Sequence, residues 1–197
     1  MTDLKLGAVA SDEQATVQIQ DGDQCLTLDY DGARRFHAGD SWWGVAVGFR
    51  AMQMAGELLS VETLWCRSGL SVVSGHPGPG VRDGIDYVTG AVQADRYQLT
   101  PDQQGRTACG RDMKFQWWVS DGSMTAIVFL RDDFVPEQFY EQLDLMLQGE
   151  KTDENRRMFD ALKLELETKI WQTPLSSAFC AKLSPVPLDE ALALSAV

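Results

Sequence analysis

Apolar and polar residues alternate with a period of two in "ATVQIQ" and "QCLTLDY", and the "DGD" between them predicts a β-hairpin. Residues 31 to 40 read as a polar link rich in turn formers. From Ser41 the spacing becomes helical and runs to about Leu59, with Ser41 or Asp40 as N-cap. "LSVVSG" predicts a short buried strand, "HPGPG" a loop, "VRDGIDYVTGAVQ" a helix and "RYQL" a short strand. Residues 100 to 111 are turn-rich and read as a surface loop. "MKFQWWVS" and "SMTAIVFLR" flank Asp121-Gly122 as a second hairpin. Pro136 opens a helix that ends at Gly149. A further helix runs from about Asp153 to Trp171, with Phe159, Leu162, Leu166 and Ile170 on one face. The last residues, "SPVPLDEALALSAV", read as an irregular tail.

This order predicts an α+β fold of antiparallel hairpins with packed helices, not a repeating βαβ wheel. The expected division is an α+β core over residues 1–131 and C-terminal helices and tail over 132–197, all in one domain. Within the Ser41 helix, Gly44, Gly48, Ala51 and Ala55 recur at i, i+4, i+7 and i+11 and form one stripe. Each helix-interior glycine costs about 1 kcal/mol relative to alanine. Close contact with another helix, in the same chain or across a dimer, is the favoured reason; the other is a helix that merely tolerates them.

Composition narrows the partners. The chain has 197 residues and a net charge of -12, which argues against long contacts with nucleic acid and against anionic membranes. The most apolar segment, "WWGVAVGFRAMQMAGELL", is broken by Arg50, Gln53 and Glu57 and is too polar for a membrane span. The opening "MTDLKLGAVASDEQ" lacks the pattern of a secretory signal, so a cytoplasmic protein is expected. Cys25, Cys66, Cys109 and Cys180 form no CxxC pair, which rejects a zinc ribbon and favours free thiols.

The chemistry concentrates in two turn-rich segments. The two histidines, His37 in "RFHAGDSWWG" and His76 in "SGHPGPGVRD", each precede a predicted helix start. They build either a shared pocket or two unrelated surface positions. His37, Asp40 and His76 would offer two imidazoles and a carboxylate, a set that suits zinc or ferrous iron. "GHPGPG" matches neither familiar phosphate loop, and Pro77 and Pro79 remove two N–H donors, although Arg82 could contact an anion. Arg50, in an apolar helix, needs either a carboxylate such as Asp83 or an anionic ligand. Trp42 is a candidate pocket wall. Cys66 and Cys109 become nucleophiles only if the fold puts a histidine beside them.

"FHAGDSWWGVAVGFRAMQMA" resembles a segment of the FmdE-like family, named for a component of formylmethanofuran dehydrogenase, in which an F-H-G-H type motif leads into a helix reading "LALGxRA". "SGHPGPGVRDGIDYVTGAV" is similar to the family's second segment, a cysteine-containing loop followed by "VDGIQxxTG". The resemblance covers about residues 30 to 130 and rests on Gly44, Ala46, Gly48, Arg50 and Ala51, then Asp83, Gly84, Ile85, Thr89 and Gly90. It implies an α+β fold, an intertwined homodimer and a metal or ligand site between the two motifs. Trp42 stands at the first motif cysteine, Asp40 at the second histidine, and Gly80 near the second cysteine, so the family's ligand set does not carry over. The expectation is an FmdE-like homodimer that binds a small ligand or a divalent metal (zinc or iron) between residues 36–43 and 76–83. His37, Asp40, Trp42, Arg50, His76, Arg82 and Asp83 are its candidate residues, with Asp83 orienting a histidine for acid–base chemistry. The alternative is a non-catalytic accessory or assembly protein with a decayed metal site.

Overall fold

The computed structural model describes residues 15–39 and 41–195. Strands β1 (Thr16–Asp21) and β2 (Gln24–Asp29) form the first hairpin, in register from Thr16 opposite Asp29 to Asp21 opposite Gln24. Gly22 takes the left-handed conformation that the tight turn requires, with φ +57°. Val17 and Ile19 point inward from β1, while β2 is largely exposed.

The expected polar link over 31–40 is instead a helix, α1 (Tyr30–Phe36). The Asp29 carboxylate caps it, accepting from the Gly32 N–H at 2.6 Å, and Arg34 and Arg35 sit at its negative end. Only Tyr30, Gly32 and Ala33 are buried, so the apolar face is too small for its periodicity to stand out. Helix α2 (Trp43–Leu59) starts at Trp43, and its N-cap residue, Trp42, makes no capping hydrogen bond with its side chain. The expected cap Ser41 lies one residue outside that position; Asp40 lies outside the described residues.

Strand β3 (Ser71–Ser74) leads through the "GHPG" corner into α3 (Pro79–Thr89), which ends at Gly90. Strand β4 (Tyr97–Leu99) lies parallel to β3. The second hairpin is β5 (Gln116–Ser120) and β6 (Thr125–Leu130), followed by α4 (Glu137–Leu147) and α5 (Asp153–Gln172). Leu162, Leu166 and Ile170 of α5 are buried where it packs on α2.

The last segment is not an irregular tail. After a short helix, α6 (Leu175–Ala178), it forms β7 (Phe179–Ser184) and α7 (Leu188–Ser195). β7 pairs antiparallel with β6 along its whole length, completing a five-stranded sheet of order β4-β3-β5-β6-β7. Adjacent strand residues face opposite ways, so Trp117 and Trp118 demand cover on both faces of the sheet. Trp117 joins the main core, and Trp118 packs with Val73, Ile127 and Ala191 of α7. The tail therefore folds because it shields a sheet edge and a second apolar face. The whole is an α+β fold, and among the described residues no helix is long and apolar enough to cross a membrane.

The contact between α2 and α3 sets the geometry of the rest. A Cβ at Gly44 would lie 3.1 Å from the Val81 nitrogen, and one at Gly48 would lie 2.7 Å from the Val81 carbonyl oxygen. From the other side, a Cβ at Gly84 would lie 2.7 Å from the Val45 carbonyl oxygen. The small-residue stripe thus serves a contact within one chain. Alanine at Gly48 would gain about 1 kcal/mol of helix propensity, yet it meets a backbone carbonyl that cannot give way without moving α3. Gly48→Ala is expected to lower unfolding free energy by about 1–3 kcal/mol, read from urea denaturation. A gain in stability would show that the helices have room to separate.

Candidate functional site

The two motif segments meet where α1 ends beside the first turns of α3. His37 caps the C-terminal end of α1, its N–H bonded to the Ala33 carbonyl at 3.1 Å. Its ring Nδ1 lies 2.8 Å from Asp83 Oδ2, a bond across 46 residues of sequence. An ionised carboxylate can only accept, so Nδ1 carries the proton, and in the neutral ring Nε2 keeps its lone pair. The other oxygen, Asp83 Oδ1, accepts from Arg82 Nε at 3.1 Å and from Arg82 Nη2 at 3.0 Å. The imidazole and the carboxylate are both largely covered (side-chain exposure 9 % and 17 %), whereas Arg82 is exposed. Asp83 thus pairs with His37 and Arg82, not with Arg50.

Tyr97 belongs to the same neighbourhood and is absent from the residues that the sequence singles out. Its hydroxyl is buried and makes no hydrogen bond of good geometry among the described residues, although the Ser74 side chain lies near enough to act on it. Burial pushes its phenol pKa up, nearby Ser74 and Arg82 pull it down, and Asp83 pushes it up again. The sequence signal is only an aromatic residue in a three-residue edge strand, which says nothing about where its hydroxyl points.

His76 has a different fate. It is buried, its Nδ1 accepts from the Gly78 N–H at 3.0 Å, and its ring packs on Phe115 with centroids 4.6 Å apart. Its backbone N–H donates to Ser74 Oγ at 3.1 Å, which ties the corner to β3. The Cys109 sulfur and the His76 ring both crowd Gly78, so the fold does bring a histidine near a cysteine. Burial lowers the His76 pKa to about 3 and raises that of the Cys109 thiol. Both shifts favour neutral groups, the opposite of the thiolate–imidazolium pair that a nucleophile needs.

The remaining candidates point elsewhere. Trp42 turns toward α5: it lines a small cavity of about 210 Å³ with Ser41, Lys163 and Glu167, and the Arg34 guanidinium sits 4.6 Å over its ring. Arg50 lies on another face of α2, bonded to Gln53 and to the Thr173 carbonyl. Among the described residues no three His, Cys, Asp or Glu side chains converge on a metal-sized point, and Asp40 lies outside those residues. His76 Nδ1 is engaged by the Gly78 N–H, and its ring is buried against Phe115.

The buried His76 makes a pH prediction. Its pKa falls from 6.5 in the unfolded chain to about 3 when folded, so between these values only the unfolded chain takes up a proton. Stability that is intact above pH 6.5 is lost as pH drops toward 3. At pH 5 this group alone accounts for a loss of about 2 kcal/mol. Urea denaturation at pH 7 and pH 5 should therefore show a smaller acid loss for His76→Asn, which keeps an acceptor for the Gly78 N–H. An unchanged difference between the two pH values would mean that His76 titrates normally in the fold.

No protein-family model matches the chain, and no curated protein matches it.

Proposed function

We propose that the corner between α1 and α3 binds a small organic ligand and moves a proton on it. His37 is the group that accepts or returns the proton, through Nε2. Asp83 is its positioning residue, holding the ring in one tautomer, and Arg82 holds Asp83 in turn. The observation that carries the reading is the 2.8 Å contact between His37 and Asp83, which links the two motif segments. A histidine oriented by a carboxylate through Nδ1 is a recurrent way to aim a proton acceptor. Tyr97, a buried hydroxyl near Asp83, is a further polar group for the ligand to meet. The resemblance to the FmdE-like family supports the location between the two segments and implies a homodimer. No step is assigned to a metal, because no three His, Cys, Asp or Glu side chains converge among the described residues.

A second reading follows from the burial of the same pair. With both side chains largely covered, His37 and Asp83 could act as a strut that fastens α1 to α3 in a non-catalytic accessory protein. The two readings separate in one experiment. Untagged protein is purified and examined by native mass spectrometry with elemental analysis, and retained small molecules are extracted and weighed. The proposed function expects a bound organic mass whose occupancy falls at least about tenfold in His37→Gln and Asp83→Asn, the loss of one charge-assisted hydrogen bond. The strut reading expects both variants to unfold at lower temperature with no change in bound mass. Equal occupancy in all three proteins ends the proposal.

A further inference from the structure

A second site lies on the far side of α2, around Arg50. This residue is 3 % exposed, and neither it nor Glu57 is in an ion pair among the described residues. Among the described residues its contacts are neutral: Nη1 donates to Gln53 Oε1 at 3.0 Å, Nη2 to the Thr173 carbonyl at 2.7 Å, and the Trp171 ring lies 5.1 Å away. The Nε–H has no acceptor among the described residues. Burial lowers the guanidinium pKa to about 10, so it remains charged at neutral pH. A buried cation with only neutral partners is short of one negative charge.

Arg50 lines a cavity of about 550 Å³, within the usual range for small-molecule pockets. Its walls come from β1, α2 and the turn at Pro174–Ser176. Glu57 stands in the same cavity, seven residues further along the helix face and exposed. Two turns of helix put the two residues about 10 Å apart along the axis. One cavity therefore holds a buried positive charge and an exposed negative charge that do not neutralise each other by contact.

We infer that this cavity binds a small organic zwitterion, its carboxylate on Arg50 and its ammonium group on Glu57. The apolar walls, Val17, Leu64, Pro174 and Leu175, suit a short hydrocarbon spacer between the two charged ends. Glu57 discriminates against multiply charged anions such as phosphate, which would meet its carboxylate at the mouth. The site is independent of the His37–Asp83 pair and does not rest on its proposed role.

The probes are 6-aminohexanoate, hexanoate, which lacks only the ammonium group, and inorganic phosphate. Binding is followed on ¹⁵N-labelled full-length protein through the Arg50 Nε–Hε resonance, assigned by its absence from the spectrum of Arg50→Lys. The expected result is a saturable shift with 6-aminohexanoate, at least about tenfold weaker binding of hexanoate, and none with phosphate. Glu57→Gln, an exposed substitution that leaves the fold intact, should erase the difference between the two organic acids. Absence of a saturable shift with 6-aminohexanoate overturns the proposal. So does equal binding of hexanoate or phosphate, or a preference that survives Glu57→Gln.

Discussion

The fold turns on one steric constraint, the backbone-to-backbone approach of α2 and α3. Gly44 and Gly48 on one helix and Gly80 and Gly84 on the other leave no side chain between the two axes. Gly48, inside α2, forfeits about 1 kcal/mol of helix propensity, and the close packing offsets it with dispersion contacts that no larger residue would permit. The approach has a chemical consequence. It holds the first turn of α3 against the segment leading into α2, and Asp83 lies on that turn. The hydrogen bond from His37 to Asp83 is short because the helices beneath it are close. Were α3 displaced outward by the width of a methyl group, the bond would open or pass through water.

The same helix separates two electrostatic solutions. On the α3 side, the charges are satisfied locally, with Asp83 shared between a histidine and an arginine. On the β1 side, Arg50 is held by an amide, a carbonyl and an aromatic ring, none of which carries a charge. One side is complete without a ligand and can act as a strut or as a proton relay. The other is complete only in geometry. Burial and neutral contacts keep Arg50 in place, but among the described residues no carboxylate touches it, whereas Arg82 is already paired with Asp83.

Much of the architecture was legible in the residue pattern, and the exceptions have physical causes. Both hairpins, α2, α3, α4 and α5 were visible because each carries a periodic apolar face or a turn former at the right place. The close contact of α2 was legible from its small-residue stripe, since glycine at helical spacing needs a packing reason. α1 escaped because seven residues with three buried positions make too weak a period. β7 and α7 escaped because their cause lies elsewhere in the chain, in the two-faced sheet that Trp117 and Trp118 create. The site shows the same division. His37 and Asp83 could be suspected from two loops near helix starts, but their pairing needed the helix contact. His76 looked equivalent to His37 in sequence, and only burial against Phe115 distinguishes it. Tyr97 carried no local signal at all, because burial of its hydroxyl depends on where β4 joins the sheet.

A net charge of -12 looks hostile to any anion, yet it favours placing an anion site indoors. At physiological salt the field of surface charges decays over about 8 Å, so a ligand crossing solvent feels little of the total. Within a cavity screening is weaker and the nearest charge dominates. Arg50 there acts on a carboxylate at contact distance, while most acidic side chains remain in high-dielectric water. Among the described residues, Glu57 is the one acidic residue that shares the cavity wall with Arg50. Its effect on a ligand therefore depends on what the rest of that ligand carries, repelling a second negative charge and attracting an ammonium group. The acidic surface thus sets little of the affinity, and the single carboxylate at the cavity mouth sets most of the selectivity.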